Sequence, residues 1–141
     1  MVSDSISSRL IALDLYDGAY GPTLRIDIPS RELLESLKRV FRSLAQSKAS
    51  LVHLAKVDFV RGGNVATLDL VLNEQSKKSR AKTLHLEDGS PGAAKFVWKQ
   101  PADRWLDCFD LLDGFGEQPG HQYLTSERID DALVEAAYLE C

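Results

Sequence analysis

The residues best suited to chemistry gather near the C-terminal end, in GFGEQPGHQYLT, Gly114 to Thr125. His121 has the chemistry of a general base, provided a carboxylate such as Glu117 orients its ring. A phosphate cradle is excluded. The glycines read G-x-G-x-x-x-G, follow a helical pattern rather than a strand, and are not closed by a lysine. No nucleophile is evident either. There is no G-x-S-x-G, and Cys108 falls on the apolar side of a predicted helix. The plain structural reading makes Gly114 a helix C-cap, Pro119-Gly120 a turn and Tyr123-Leu124 an anchor into the core. Two functional readings stay open beside it. One is a partner-binding loop. The other is a small-molecule or enzymatic pocket near His121, walled by Trp98, Trp105 and Tyr123.

A second candidate lies just upstream. Over residues 102–113, Trp105, Cys108, Phe109 and Leu112 share one side of a helix, and Asp103, Asp107 and Asp110 line the other. Like charges at this spacing repel by a few tenths of a kcal/mol per pair. Only Asp103 sits where the helix dipole favours an acid, and Asp110 and Asp113 lie at the unfavourable end. Helix stability therefore does not explain the stripe. It is either a solvated face or a contact surface for a basic partner. On the second reading the partner-binding residues are Asp103, Asp107, Asp110, Asp113, Glu117, His121 and Tyr123. A metal needs convergent ligands, and none is readable, so neither metal nor cofactor is expected.

The other histidines add little. His53 is expected to be partly buried beside Leu51, Ala55, Val57 and Phe59, and His85 to face outward. The basic run Lys77, Lys78, Arg80, Lys82 has no interleaved aromatics for base stacking and reads first as a solvated loop, with a contact to a nucleic-acid phosphate backbone as the alternative.

Several elements must hold these groups. Leu10–Tyr16 and the alternating TLRIDIP form a hairpin around DGAYGP. Ser30 then caps an amphipathic helix from Arg31 to about Ser47, with Leu33, Leu34, Leu37, Val40, Phe41 and Leu44 on its apolar side. SLVHLAKVDFV and VATLDLVL read as a second hairpin around RGGN. TLHLED and KFVWKQ form a third around GSPG. Pro101 opens the acidic helix. Residues 127–140 fit a helix or a strand, with Asp130-Asp131 as the turn before the strand. The order predicts one α+β domain over residues 1–141: a mainly antiparallel sheet of about five to seven strands carrying two helices.

The totals set outer limits. A chain of 141 residues is large enough to hold a core without metals or disulfides. The start, MVSDSISSRL, lacks the features of a secretory signal, and no apolar run approaches a membrane span. Cys108 and Cys141 have no CxxC partners. A cytosolic protein with reduced thiols is the expectation. The net charge of −4 is unevenly spread: residues 101–141 carry ten acids and two bases, a local −8. That disfavours nucleic acid as their ligand and favours a basic protein. Self-association through a bare sheet face or edge stays open.

The closing pattern carries a resemblance. The helix bearing Trp105, then Gly120-His121-Gln122-Tyr123-Leu124, then Asp130-Asp131 and an apolar stretch ending in Glu140 resembles small bacterial proteins. Some of these are similar to immunity proteins of polymorphic toxin and contact-dependent inhibition systems. The resemblance covers the last third of the chain. It implies a cytosolic, non-enzymatic protein that binds and blocks a cognate toxin domain.

Overall fold

A computed structural model of the protein describes residues 9–74, 83–125 and 130–140. Its strands are β1 (Ile11–Gly18), β2 (Gly21–Ile28), β3 (Leu51–His53), β4 (Val60–Arg61), β5 (Val65–Leu72), β6 (Leu84–Asp88), β7 (Ala94–Gln100), β8 (Gly120–Tyr123) and β9 (Leu133–Tyr138). The helices are α1 (Arg31–Ala45) and α2 (Ala102–Asp113). This is an α+β fold, but the single, mainly antiparallel sheet expected from the sequence is replaced by two mixed sheets. The first runs β4-β1-β2-β9-β8 and the second β3-β5-β7-β6. Parallel pairing joins β1 to β4, β2 to β9 and β5 to β7. Hairpins are legible because their two strands are neighbours in sequence. These parallel pairs join segments separated by other elements, which no local pattern reveals.

The expected hairpins β1–β2 and β6–β7 form, the second with a register shift between Leu86 and Asp88. α1 begins where its cap requires, with the Leu33 N–H donating to Ser30 Oγ at 3.3 Å. Residues 51–61 correct the prediction of one continuous strand. Leu51–His53 pair with β5, a 3₁₀ turn spans Leu54–Lys56, and Val60–Arg61 pair with β1 in the other sheet. The turn shifts which residues face inward: Leu54 is buried, whereas Leu51 and His53 are exposed. His53 is therefore not partly buried. Its Nδ1 lies 2.7 Å from Asp69 Oδ1 on the surface.

Behind this break the RGGN turn holds β1 closely. Gly63 has φ +59, and a Cβ there would meet the Leu13 carbonyl oxygen at 2.7 Å, so only glycine fits without rearrangement. The next side chain, Asn64, accepts from the Leu15 N–H at 2.8 Å and donates to the Leu15 carbonyl at 2.9 Å.

The core joins both sheets and both helices. Leu13, Leu24, Ile26 and Val134 come from the first sheet, and Leu68, Leu70, Phe96 and Trp98 from the second. Phe41 of α1, Trp98 of β7 and Trp105 of α2 meet at its centre, with ring centroids 4.9–5.9 Å apart. These are the separations at which aromatic pairs contribute beyond their buried area.

The two sheets are also clipped together by Asp130 and Asp131. Asp130 Oδ1 accepts from the Thr83 N–H, the Thr83 hydroxyl and the Leu84 N–H. Asp131 Oδ2 accepts from the Leu86 N–H at 2.7 Å. The expected turn is present, and its carboxylates serve the backbone of β6 and its lead-in. The ambiguous tail resolves as the strand β9.

Replacing Trp105 by alanine removes the α2 contribution to the aromatic centre. The expected loss is about 3–5 kcal/mol of unfolding free energy, measured by urea denaturation against the parent protein.

Candidate functional site

The outer face of α2 carries the most concentrated unpaired charge of the candidate residues. Trp105, Cys108 and Leu112 are buried on the inner side, and this fixes the opposite side toward solvent. Asp103, Asp107 and Asp110 are exposed, and no ion pair or side-chain hydrogen bond engages them among the described residues. Leu106 lies between them, three residues after Asp103 and four before Asp110, and is 48% exposed. Arg104 is the single base on the helix.

The remaining described acids of the tail third are committed elsewhere. Asp113 accepts from Lys38 Nζ of α1 at 2.7 Å. That hydrogen bond, reinforced by the lysine charge, holds its carboxyl below the usual carboxylate range. Burial alone would lower the Lys38 pKa, but its bonds to Asp113 and Glu35 outweigh that and raise it. Lys38 and Arg42 also lie over the Phe109 ring, 5.4 and 4.8 Å from its centroid. The end of α2 is thus bound to α1 by bases. Glu117 pairs with Arg31 at 3.0 Å, both well exposed, a contact worth little by itself. The described acids of this third therefore do not form one continuous surface.

Gly114 is the C-cap of α2, as the sequence reading has it, with right-handed φ −66, and a left-handed residue follows at Gly116, φ +58. The rest of the loop differs from its sequence reading in two ways. Residues 120–123 form the edge strand β8, antiparallel to β9. Leu124 is the core anchor, whereas Tyr123 is 40% exposed.

His121 does not meet Glu117. Its Nδ1 lies 3.2 Å from Glu140 Oε2, and its ring stands edge-on to Tyr123. The imagined pocket does not assemble, because Trp98 and Trp105 are wholly buried in the core while His121 and Tyr123 sit on an outer sheet face.

That outer face holds a group the sequence did not bring together. In register across the first sheet lie Asp14, Arg25, Glu135 and Tyr123. Glu135 Oε1 accepts from the Tyr16 hydroxyl at 2.9 Å. Burial, then this bond and the nearby carboxylate charge, raise the tyrosine's pKa. Arg25 stands 3.8–3.9 Å from Asp27, Glu135 and Glu140. Period-2 patterning assigned Arg25 and Asp27 to the exterior, but gave no sign that β9 would lie beside them.

Among the described residues no cluster of histidine, cysteine, aspartate and glutamate is arranged to hold a metal ion. No described helix is long and apolar enough to cross a membrane. The basic run Lys77–Lys82 lies outside the described residues. Compared with protein-family models, with curated proteins and with solved structures, the chain matches none.

Cys108 is not a nucleophile. It is buried, and burial pushes its thiol up to about 12 despite a hydrogen bond from Gln100 that opposes the shift. The protonated thiol thus favours the folded state fully below about pH 9, and that contribution fades as pH rises toward about 12. In a Cys141→Ser background at pH 8, the thiol is expected to resist a disulfide reagent until the protein is unfolded by denaturant. Rapid modification of the native protein would contradict this burial.

Proposed function

We propose that the protein is a non-enzymatic binding module that meets a basic protein partner through the outer face of α2. The observation that carries this reading is the unpaired trio Asp103, Asp107 and Asp110 set around an exposed leucine. The trio costs helix stability and gains no internal partner, so its presence calls for an external one. An apolar centre with a polar, charged rim has the layout of a protein interface. Opposed charge on a partner would speed encounter and fix orientation.

The resemblance of the closing pattern to immunity proteins supports the same reading and gives the partner a class, a cationic toxin domain. On this reading the protein works in the cytosol and holds its partner by contact alone. His121 and Tyr123 stand on the outer face of the first sheet, apart from α2.

The test is charge reversal. Asp107→Lys with Asp110→Lys is expected to weaken partner binding about tenfold or more, since each factor of ten is about 1.4 kcal/mol. Binding by the parent protein should also weaken as salt is raised. Unfolding free energy should stay within about 0.5 kcal/mol, or rise slightly, because like-charge repulsion is relieved. The measurement is affinity capture from source-cell lysate on parent and variant baits, with salt elution. Equal retention of a basic polypeptide by both baits would remove α2 from the interface.

A further inference from the structure

The outer face of the first sheet contains a groove of about 290 Å³ lined by Tyr20, Tyr123, Thr125 and Leu133. We infer that this groove receives a cationic side chain, arginine or lysine, from a protein partner. This deepens the reading of a basic partner and rests on it, but uses a different surface from α2.

Two features combine, one of the groove itself and one beside it. Its walls include the most exposed large apolar side chains of this face: Tyr20 is 70% and Tyr123 40% exposed. Tyr20 projects from the β1–β2 turn, and Tyr123 from the edge strand β8. Leu133 of β9 supplies an apolar wall. Tyrosine faces attract guanidinium and ammonium groups, and the attraction strengthens as the cation loses water. An aliphatic stem, as in lysine or arginine, suits the leucine.

The second feature is Glu135, which stands beside the lining residues Tyr123 and Leu133 but is not itself among them. It lies two residues along β9 from Leu133, on the same sheet face, and opposite Tyr123 in the ladder. It is only 6% exposed, an unusual setting for a carboxylate. Its hydrogen bond from Tyr16 and its 3.9 Å approach from Arg25 both fall on Oε1. Among the described residues no hydrogen bond reaches Oε2. Arg25 does not balance the site alone, because Asp27 and Glu140 share it and Asp14 lies in the same ladder row. A nearly buried carboxylate gains most from a charge-assisted partner. Aromatic walls beside an acid suit a cationic side chain, and they disfavour a phosphate or an acidic peptide.

The test uses the full chain and three capped tripeptides: acetyl-Gly-Arg-Gly-amide, its lysine counterpart and its glutamate counterpart. Amide chemical shifts are followed by NMR during titration. The expected result is saturable shifts at Tyr20, Tyr123, Thr125 and Leu133 with the two cationic peptides, and none with the acidic one. Tyr20→Ala with Tyr123→Ala should abolish saturation. Tyr20→Phe with Tyr123→Phe should retain it, because the ring faces remain. Glu135→Gln should weaken binding about tenfold, with Tyr16→Phe as a check that the ladder itself tolerates loss of that hydrogen bond. Saturable shifts confined to residues 103–110 would overturn the groove and leave the α2 reading standing. Absence of saturable shifts anywhere, or equal shifts with the glutamate peptide, would overturn the groove as well. Groove binding that persists in the Asp107→Lys, Asp110→Lys protein, when that protein has lost its partner, would separate the two surfaces.

Discussion

The seat of β9 between β2 and β8 is the constraint on which the rest of the first sheet depends. All six of its residues are buried, so the strand is covered on both faces. On the inner face Val134, Ala136 and Tyr138 align with Leu24, Ile26 and Ile28 of β2. On the outer face Leu133 and Glu135 lie among the polar and aromatic side chains of β1, β2 and β8. Among the described residues β8 has no other strand neighbour, so His121 and Tyr123 are placed by β9. The apolar composition of β9 follows from this double burial, and Glu135 is the exception that makes its outer face chemically distinctive.

A second set of contacts places α2 independently. Trp105 enters the aromatic centre from one side, and Phe109 lies beneath the bases of α1. Lys38 then ties down Asp113. The inner side of the helix is over-determined, which leaves the outer side free to vary without cost to the fold. Asp103, Asp107 and Asp110 occupy that freedom with charge that the helix itself disfavours. The two candidate surfaces thus arise from opposite situations. One is an unconstrained helix face, and the other is a sheet face on which a carboxylate is held almost out of water.

Much of the local structure was legible in the sequence. The period of α1, its Ser30 cap, the bounds of α2 and the hairpins β1–β2 and β6–β7 follow from spacing and turn residues. The exposure of the α2 acids was legible for the same reason, since a helix wheel places them directly. What escaped was long-range. The run from Leu51 to Val60 alternates as a strand should, yet its residues divide between two sheets, because a 3₁₀ turn at Leu54 redirects the chain. Nothing in TLRIDIP announces that a strand more than a hundred residues later will lie beside it. Arg25, Tyr16 and Glu135 therefore read as unrelated surface residues until the sheet is assembled. The partners of Asp113 and Glu117 were hidden likewise, because Lys38 and Arg31 belong to α1, which meets the end of α2 and the turn after it only in three dimensions.

The carboxamide of Asn64 has a wider consequence. By bonding both the N–H and the C=O of Leu15, it imitates an adjoining strand along the margin of β1. Farther back the same margin is taken by the Phe59 carbonyl at Ile11 and by the two residues of β4. From Ile11 to Leu15, this border offers an incoming chain little to zip onto. Exposed sheet borders are where soluble proteins risk runaway stacking. Here a single side chain and a two-residue strand act as a stopper, guarding one rim of the first sheet against aggregation.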